Sequence, residues 1–183
     1  TEEPPVTETK EVQLGDNSQY SGRKFGLVMK LKGADYNNGK KVNGVDNADG
    51  PEVTLALTHV PDTDHFINDA GQKLDLQPIH EGDDHQQFVF GLNEWNTVID
   101  SVHQRGMVWD VCDQFDMDPP DGTPYYLFPF HGRHNQHFVF QNNHIYATQN
   151  GDVVTYVGGD IPFVMMNPSD ELAARQTFYI TLL

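Results

Sequence analysis

Histidine and aspartate are the side chains of this chain whose clustering first suggests chemistry. His131, His134 and His137 fall three apart with His144 nearby, and Asp83-Asp84-His85 lies in a similar loop upstream. Imidazole and carboxylate together can hold zinc or a related ion. The spacing crosses a loop-to-strand junction, so the rings need not converge, and no paired cysteines or His-Glu-x-x-His motif accompany them. The expected state is therefore solvated loop histidines. Asp113, Asp116, Asp118 and Asp121 place hard oxygen ligands at close spacing, as Ca²⁺ requires. They lack the glycine and closing glutamate of an EF-hand, and Pro119-Pro120 stiffens the loop. A solvated acidic loop is the preferred reading: no cofactor is expected, and Ca²⁺ is kept as a secondary candidate. No Gly-x-Ser-x-Gly elbow and no phosphate loop is present, and Cys112, the single cysteine, has no evident histidine partner. The chain reads as a non-enzyme.

The elements that must position these groups are short. Apolar runs at Phe25–Met29, Glu52–Leu57, Phe88–Phe90, Thr97–Ile99 and Met107–Val111 alternate with turn signals such as Asn38-Gly39, Asp121-Gly122 and Asn150-Gly151. Helical periodicity is limited to one turn near Glu171–Arg175. Eleven Phe, seven Tyr and two Trp can fill a core without disulfides. Residues 1–20 are rich in Thr, Glu and Pro and are expected to form a disordered acidic tail, with an edge strand near Val12-Gln13-Leu14 at most.

Charge narrows the partners. Eleven basic against 27 acidic residues give a net charge of -16, which disfavours nucleic acid and anionic membranes. No apolar run approaches the length of a transmembrane segment.

A repeat organises the rest. Leu76-Gln77-Pro78-Ile79-His80 precedes Gln86-Gln87-Phe88-Val89-Phe90, and Leu127-Phe128-Pro129-Phe130-His131 precedes Gln136-His137-Phe138-Val139-Phe140. Val164–Pro168 followed by Gln176-Thr177-Phe178-Tyr179-Ile180 is a worn third copy. A few strands per copy cannot bury one face alone, whereas three copies around a pseudo-threefold axis close a barrel. The expected fold is an all-β β-trefoil over residues 21–183, with three pseudo-repeats of about 21–92, 93–141 and 142–183 closing a short barrel. Phe88, Phe138 and Phe178 would be equivalent core residues, and the preceding glutamines would satisfy loop backbone.

The middle copy resembles the ricin-B type (R-type) lectin repeat. It runs Met107-Val108-Trp109-Asp110-Val111, a loop through Asp121-Gly122-Thr123, Tyr125-Tyr126-Leu127-Phe128-Pro129-Phe130, then Asn135-Gln136-His137-Phe138. The resemblance implies sugar binding by Asp110, whose carboxylate accepts two sugar hydroxyls, by Phe128 as a stacking platform, and by Asn135 with Gln136 as supporting amides. Tyr126 and His131 would line the rim. Phe128 replaces the family's usual Trp, and Met107 and Phe130 stand where a disulfide is often found. The other copies look poorer. Gln77 and His85 replace the aromatic and the Asn in the first, whose acid is hard to place beyond Asn43-Gly44-Val45-Asp46; Thr155 and Arg175 occupy the third.

The expected function is thus a lectin-like carbohydrate-binding module with one shallow site. Its ligand would be a galactose-type sugar on a glycan or glycoprotein, by resemblance only. A β-trefoil protein-binding scaffold or protease inhibitor is the alternative, with the insertion from Val60 to Lys73 as its presenting loop. The Thr1 start, the acidic tail and the usual setting of such lectins favour a secreted or extracellular location. Oligomeric state is not indicated.

Overall fold

The computed structural model describes residues 13–32, 51–62 and 66–183. Twelve strands join in one sheet, and the only α-helical turn among these residues is α1, Ala173–Gln176. The strands are β1 Lys24–Leu31, β2 Val53–Val60, β3 Lys73–Pro78, β4 Phe88–Phe90, β5 Ile99–Ser101, β6 Met107–Val111, β7 Thr123–Pro129, β8 Phe138–Gln141, β9 His144–Ala147, β10 Val153–Tyr156, β11 Phe163–Met166 and β12 Tyr179–Leu182.

Side-chain alternation builds the sheet. In β1 the residues Phe25, Leu27, Met29 and Leu31 point inward while Lys24 and Lys30 are exposed. β1 then pairs with β2, β4 and β12, the last joining the C-terminal strand to the first strand through Phe25 opposite Leu182. Trp109 sits at the centre of the core, with Phe25, Tyr125 and Phe138 set edge-on around it at ring-centroid distances of 6.0, 5.8 and 6.0 Å. Phe88, Phe138 and Phe178 are fully buried, as the repeat predicts. Each such ring contributes roughly 1.5–3 kcal/mol of burial.

The glutamines of the repeat do equivalent work in all three copies. Gln86 Oε1 accepts from the His80 amide at 2.9 Å and Nε2 donates to the Pro78 carbonyl at 2.9 Å. Gln136 accepts from the His131 amide at 2.8 Å and donates to the Pro129 carbonyl at 3.1 Å. Gln176 accepts from the Ser169 amide at 3.0 Å and donates to the Asn167 carbonyl at 3.0 Å. All three are buried, so each amide replaces the ladder partners that a strand loses where it bends into the loop.

Two expectations change. The packed chain begins before Ser21: Asn17 is fully buried, donating to the Phe138 carbonyl at 2.8 Å and accepting from the Phe140 amide at 2.9 Å. Its side chain thereby mimics a strand neighbour of β8. Gln13 and Leu14 form no strand; the Gln141 side chain caps their segment instead, accepting from the Gly15 amide at 2.9 Å. Residues 1–12 of the expected tail lie outside the described residues, as do Asn38-Gly39 and Asn43-Gly44-Val45-Asp46. The second change concerns Thr97-Val98-Ile99, of which only Ile99 enters a strand, β5.

Candidate functional site

The residues singled out in the middle copy converge. β6 and β7 pair with Asp110 opposite Tyr126 and Val108 opposite Phe128, and the turn His134–Gln136 folds back over β6. Asp110, Tyr126, Phe128, His131 and Asn135 line a cavity of about 320 Å³ together with Asn68, Cys112, Asp113, Gln114 and Phe115. That volume lies at the lower end of ligand clefts, roughly 300–1,000 Å³. Gln136 does not line it; it lies beneath and holds Asp110.

Asp110 forms the floor, with only 2% of its surface exposed. Its Oδ1 accepts from Asn135 Nδ2 at 3.1 Å and its Oδ2 from Gln136 Nε2 at 2.7 Å. One lone pair on each oxygen therefore remains for a ligand. Burial pushes the carboxyl up to about 7, against the pull of the Gln136 and Asn135 amides. Asn135 Nδ2 also donates to the Val111 carbonyl at 2.9 Å, which orients its Oδ1; that oxygen is buried and has no hydrogen-bond partner.

The walls are apolar with neutral polar tips. Phe128 is half-buried, its ring centroid 6.0 Å from both Tyr126 and His131. His131 Nδ1 accepts from the Arg133 amide at 3.0 Å, so in the neutral ring Nε2 carries the proton, facing Asp110 Oδ2 at 3.7 Å. Burial, with Arg133, His134 and His137 nearby, lowers the imidazole's pKa. Near neutral pH the contact is thus between a neutral ring and a half-titrated acid rather than an ion pair. Burial raises Tyr126 and Cys112, keeping both protonated.

Five lining residues fall outside the site expected from the sequence: Asn68, Cys112, Asp113, Gln114 and Phe115. Asn68 comes from the insertion between β2 and β3, donating to Tyr126 Oη at 2.8 Å. Its Oδ1 accepts from the Gly71 amide at 2.7 Å, and a Cβ on Gly71 would fall 2.4 Å from the Tyr126 ring, so glycine alone fits there. The insertion is docked onto β7 by reciprocal Gln72–Leu127 backbone bonds of 2.8 and 2.9 Å. Phe115 stands at the rim, 81% exposed. No pattern in the sequence ties Asn68 or Phe115 to Asp110. For Cys112, which lies directly after the Asp-Val strand, that position was the available signal.

The first and third copies carry threonine where the middle carries Asp110. Gln86 Nε2 donates to Thr58 Oγ1 at 3.1 Å and Gln176 Nε2 to Thr155 Oγ1 at 3.1 Å. The separations from the glutamine are 28, 26 and 21 residues in the three copies, so no single count back from Gln86 leads to Thr58.

His137, His144 and the aspartates of the Asp113–Asp121 loop each have separate partners. His137 is clamped between Thr97 Oγ1 at 2.7 Å and the Gly132 carbonyl at 2.8 Å, and His144 donates to the Asn142 carbonyl at 2.8 Å. Asp113 accepts from the Phe115 and Asp116 amides, Asp116 from that of Asp118, and Asp121 from that of Asn167. Asp113 and Asp116 thus shape local turns, while Asp121 ties its loop to the segment after β11.

The chain superposes on ThreeFoil, a designed threefold-symmetric protein, with a TM-score of 0.55 and 15% identity over 87% of this chain and 99% of that one. The fold is a β-trefoil. The same β-trefoil appears in the Vibrio vulnificus hemolysin/cytolysin lectin solved with N-acetyl-D-lactosamine bound, at TM-score 0.54 and 12% identity over 88% of this chain and 96% of that one. It appears again in the Macrolepiota procera ricin B-like lectin in complex with lactose, at 0.52 and 13% over 92% and 97%. No protein-family model and no curated protein matches the sequence. Among the described residues of this β-trefoil, no helix is long and apolar enough to cross a membrane.

Proposed function

We propose that the protein is a non-enzymatic carbohydrate-binding module whose site is the cavity over Asp110, taking a galactose-type sugar on a glycan or glycoprotein. The observation that carries this reading is the buried carboxylate on the cavity floor. It keeps one free lone pair on each oxygen and lies beside the unpartnered Asn135 Oδ1 and the Phe128 ring. Two sugar hydroxyls donate to Asp110 in charge-assisted bonds, a third donates to Asn135 Oδ1, and the apolar sugar face lies on Phe128. His131 supplies a neutral donor at the rim, and Tyr126, buried and held by Asn68, forms the wall beside it. The neighbouring β-trefoils support the ligand class, because those two lectins hold N-acetyl-D-lactosamine and lactose, each a galactose-containing disaccharide.

A single shallow site of this kind binds with Kd near a millimolar, about -4 kcal/mol, so multivalent display is needed to detect it. The test is a multivalently displayed glycan array. Saturable binding to galactosides, competed by free galactose, is the expected result. A blank array with folded protein overturns the reading and leaves the protein-binding scaffold. A secreted or extracellular location fits this role.

A further inference from the structure

The first copy carries a different constellation at the place corresponding to the sugar cavity. His85 precedes Gln86 as Asn135 precedes Gln136, so His85 occupies the position of the cavity's amide. Its ring stacks on that of His103, from the turn between β5 and β6, with centroids 3.6 Å apart and planes 23° apart. Both rings turn Nδ1 toward one carboxylate oxygen, Asp84 Oδ1, at 3.3 Å from His85 and 3.0 Å from His103. Asp83 Oδ1 lies 2.7 Å from His85 Nδ1. Asp84, His85 and His103 each place a ligand atom within 4.8 Å of the others, the only such group of three among the described residues.

We propose that Asp84, His85 and His103 form a binding site for a divalent transition-metal ion of the zinc class. Two ligand atoms on one tetrahedral ion with bonds of about 2.0–2.1 Å stand roughly 3.3 Å apart, close to both nitrogen–oxygen separations here. A dication held by both ring nitrogens and the carboxylate would take the place of the contacts that Asp84 Oδ1 now makes with the two Nδ1 atoms. Imidazole selects zinc, copper or nickel over Ca²⁺. All three side chains are partly exposed, which leaves an entry path and room for Asp83 or water as the fourth ligand. His103 packs edge-on against His59 at 5.6 Å, and His59 is itself held by Ser101 Oγ at 2.8 Å and by Gln72 Oε1, which limits how far the His103 ring can move.

The experiment is titration of the metal-free full-length chain with ZnCl₂ by calorimetry, alongside His85→Gln, His103→Gln and His144→Gln, with circular dichroism confirming each fold. One equivalent of Zn²⁺ is expected for the parent and for His144→Gln, with affinity falling at least about tenfold in His85→Gln and His103→Gln. Cobalt substitution should give visible ligand-field bands that His103→Gln abolishes. Absence of stoichiometric uptake, or uptake unchanged in both substituted cluster variants, overturns the proposal. Should His85→Gln fail to fold, the partly exposed His103→Gln decides alone.

Discussion

The middle copy and the first copy hang different chemistry on the same frame. In both, a buried glutamine clamps the end of a strand and reaches a side chain on the strand beneath. In the middle copy that side chain is Asp110, which keeps acceptor capacity facing a cavity. In the first it is Thr58, whose hydroxyl is turned onto the Ala56 carbonyl at 2.9 Å. The third copy repeats the threonine, with Thr155 Oγ1 donating to the Val153 carbonyl at 3.1 Å. The clamp is therefore a requirement of the fold, while the group it holds is free to vary. Threonine satisfies the glutamine without burying an ionisable group, so the carboxylate marks the copy where binding offsets a desolvation cost.

The most severe way to break that difference is Asp110→Thr, which gives the middle copy the chemistry of the other two. Glycan binding should fall below detection while cooperative unfolding persists, as read by glycan array and thermal melting. The stability change should also depend on pH. Asp110 titrates at about 7 in the fold against an ordinary 3.8. Its contribution is full below the ordinary value and is lost as pH rises through about 7, by an amount on the order of a few kcal/mol. The substituted chain should therefore gain on the parent between pH 4 and 8.

Removing the clamp tests the shared part. Gln176→Ala and Gln136→Ala should each cost about 2–4 kcal/mol in urea unfolding, because buried backbone groups lose their partners. Only Gln136→Ala should also impair sugar binding, since it alone releases Asp110.

A smaller effect sharpens the role of charge. If the carboxylate is the competent acceptor, galactoside affinity should rise about eight- to tenfold from pH 6 to 8, as Asp110 passes from about one-tenth to nine-tenths ionised. The neighbouring His131, Tyr126 and Cys112 do not reverse that sign, because His131 is lowered and Tyr126 and Cys112 are raised. An affinity independent of pH would reassign the anchor. The smallest change is Phe128→Trp, which enlarges the platform and should strengthen binding severalfold, on the order of 0.5–1 kcal/mol by calorimetry.

Much of the frame was legible. Gln86, Gln136 and Gln176, each two residues before a buried phenylalanine, act within a single loop, with partners four to nine residues away. Short-range chemistry of that kind leaves a repeated spacing. Asp110 was legible only through resemblance, and Thr58 was hidden because a threonine in a strand carries no signal of its own. Asn17 was misread as tail because its neighbours are polar, although one buried side chain with three backbone partners is enough to dock it.

By itself the sequence determined an all-β chain of three related copies, the phenylalanines at its core and one copy richer in recognition chemistry than the rest. Those features depend on residue type and local spacing. Only the tertiary structure decided that Asn68 and Phe115 share a cavity with Asp110, and that His103 meets His85 over one carboxylate. Such groups lie in loops with no common period. They meet because strand register and the closure of the sheet bring their loops to the same place, which side-chain identity along the chain does not encode.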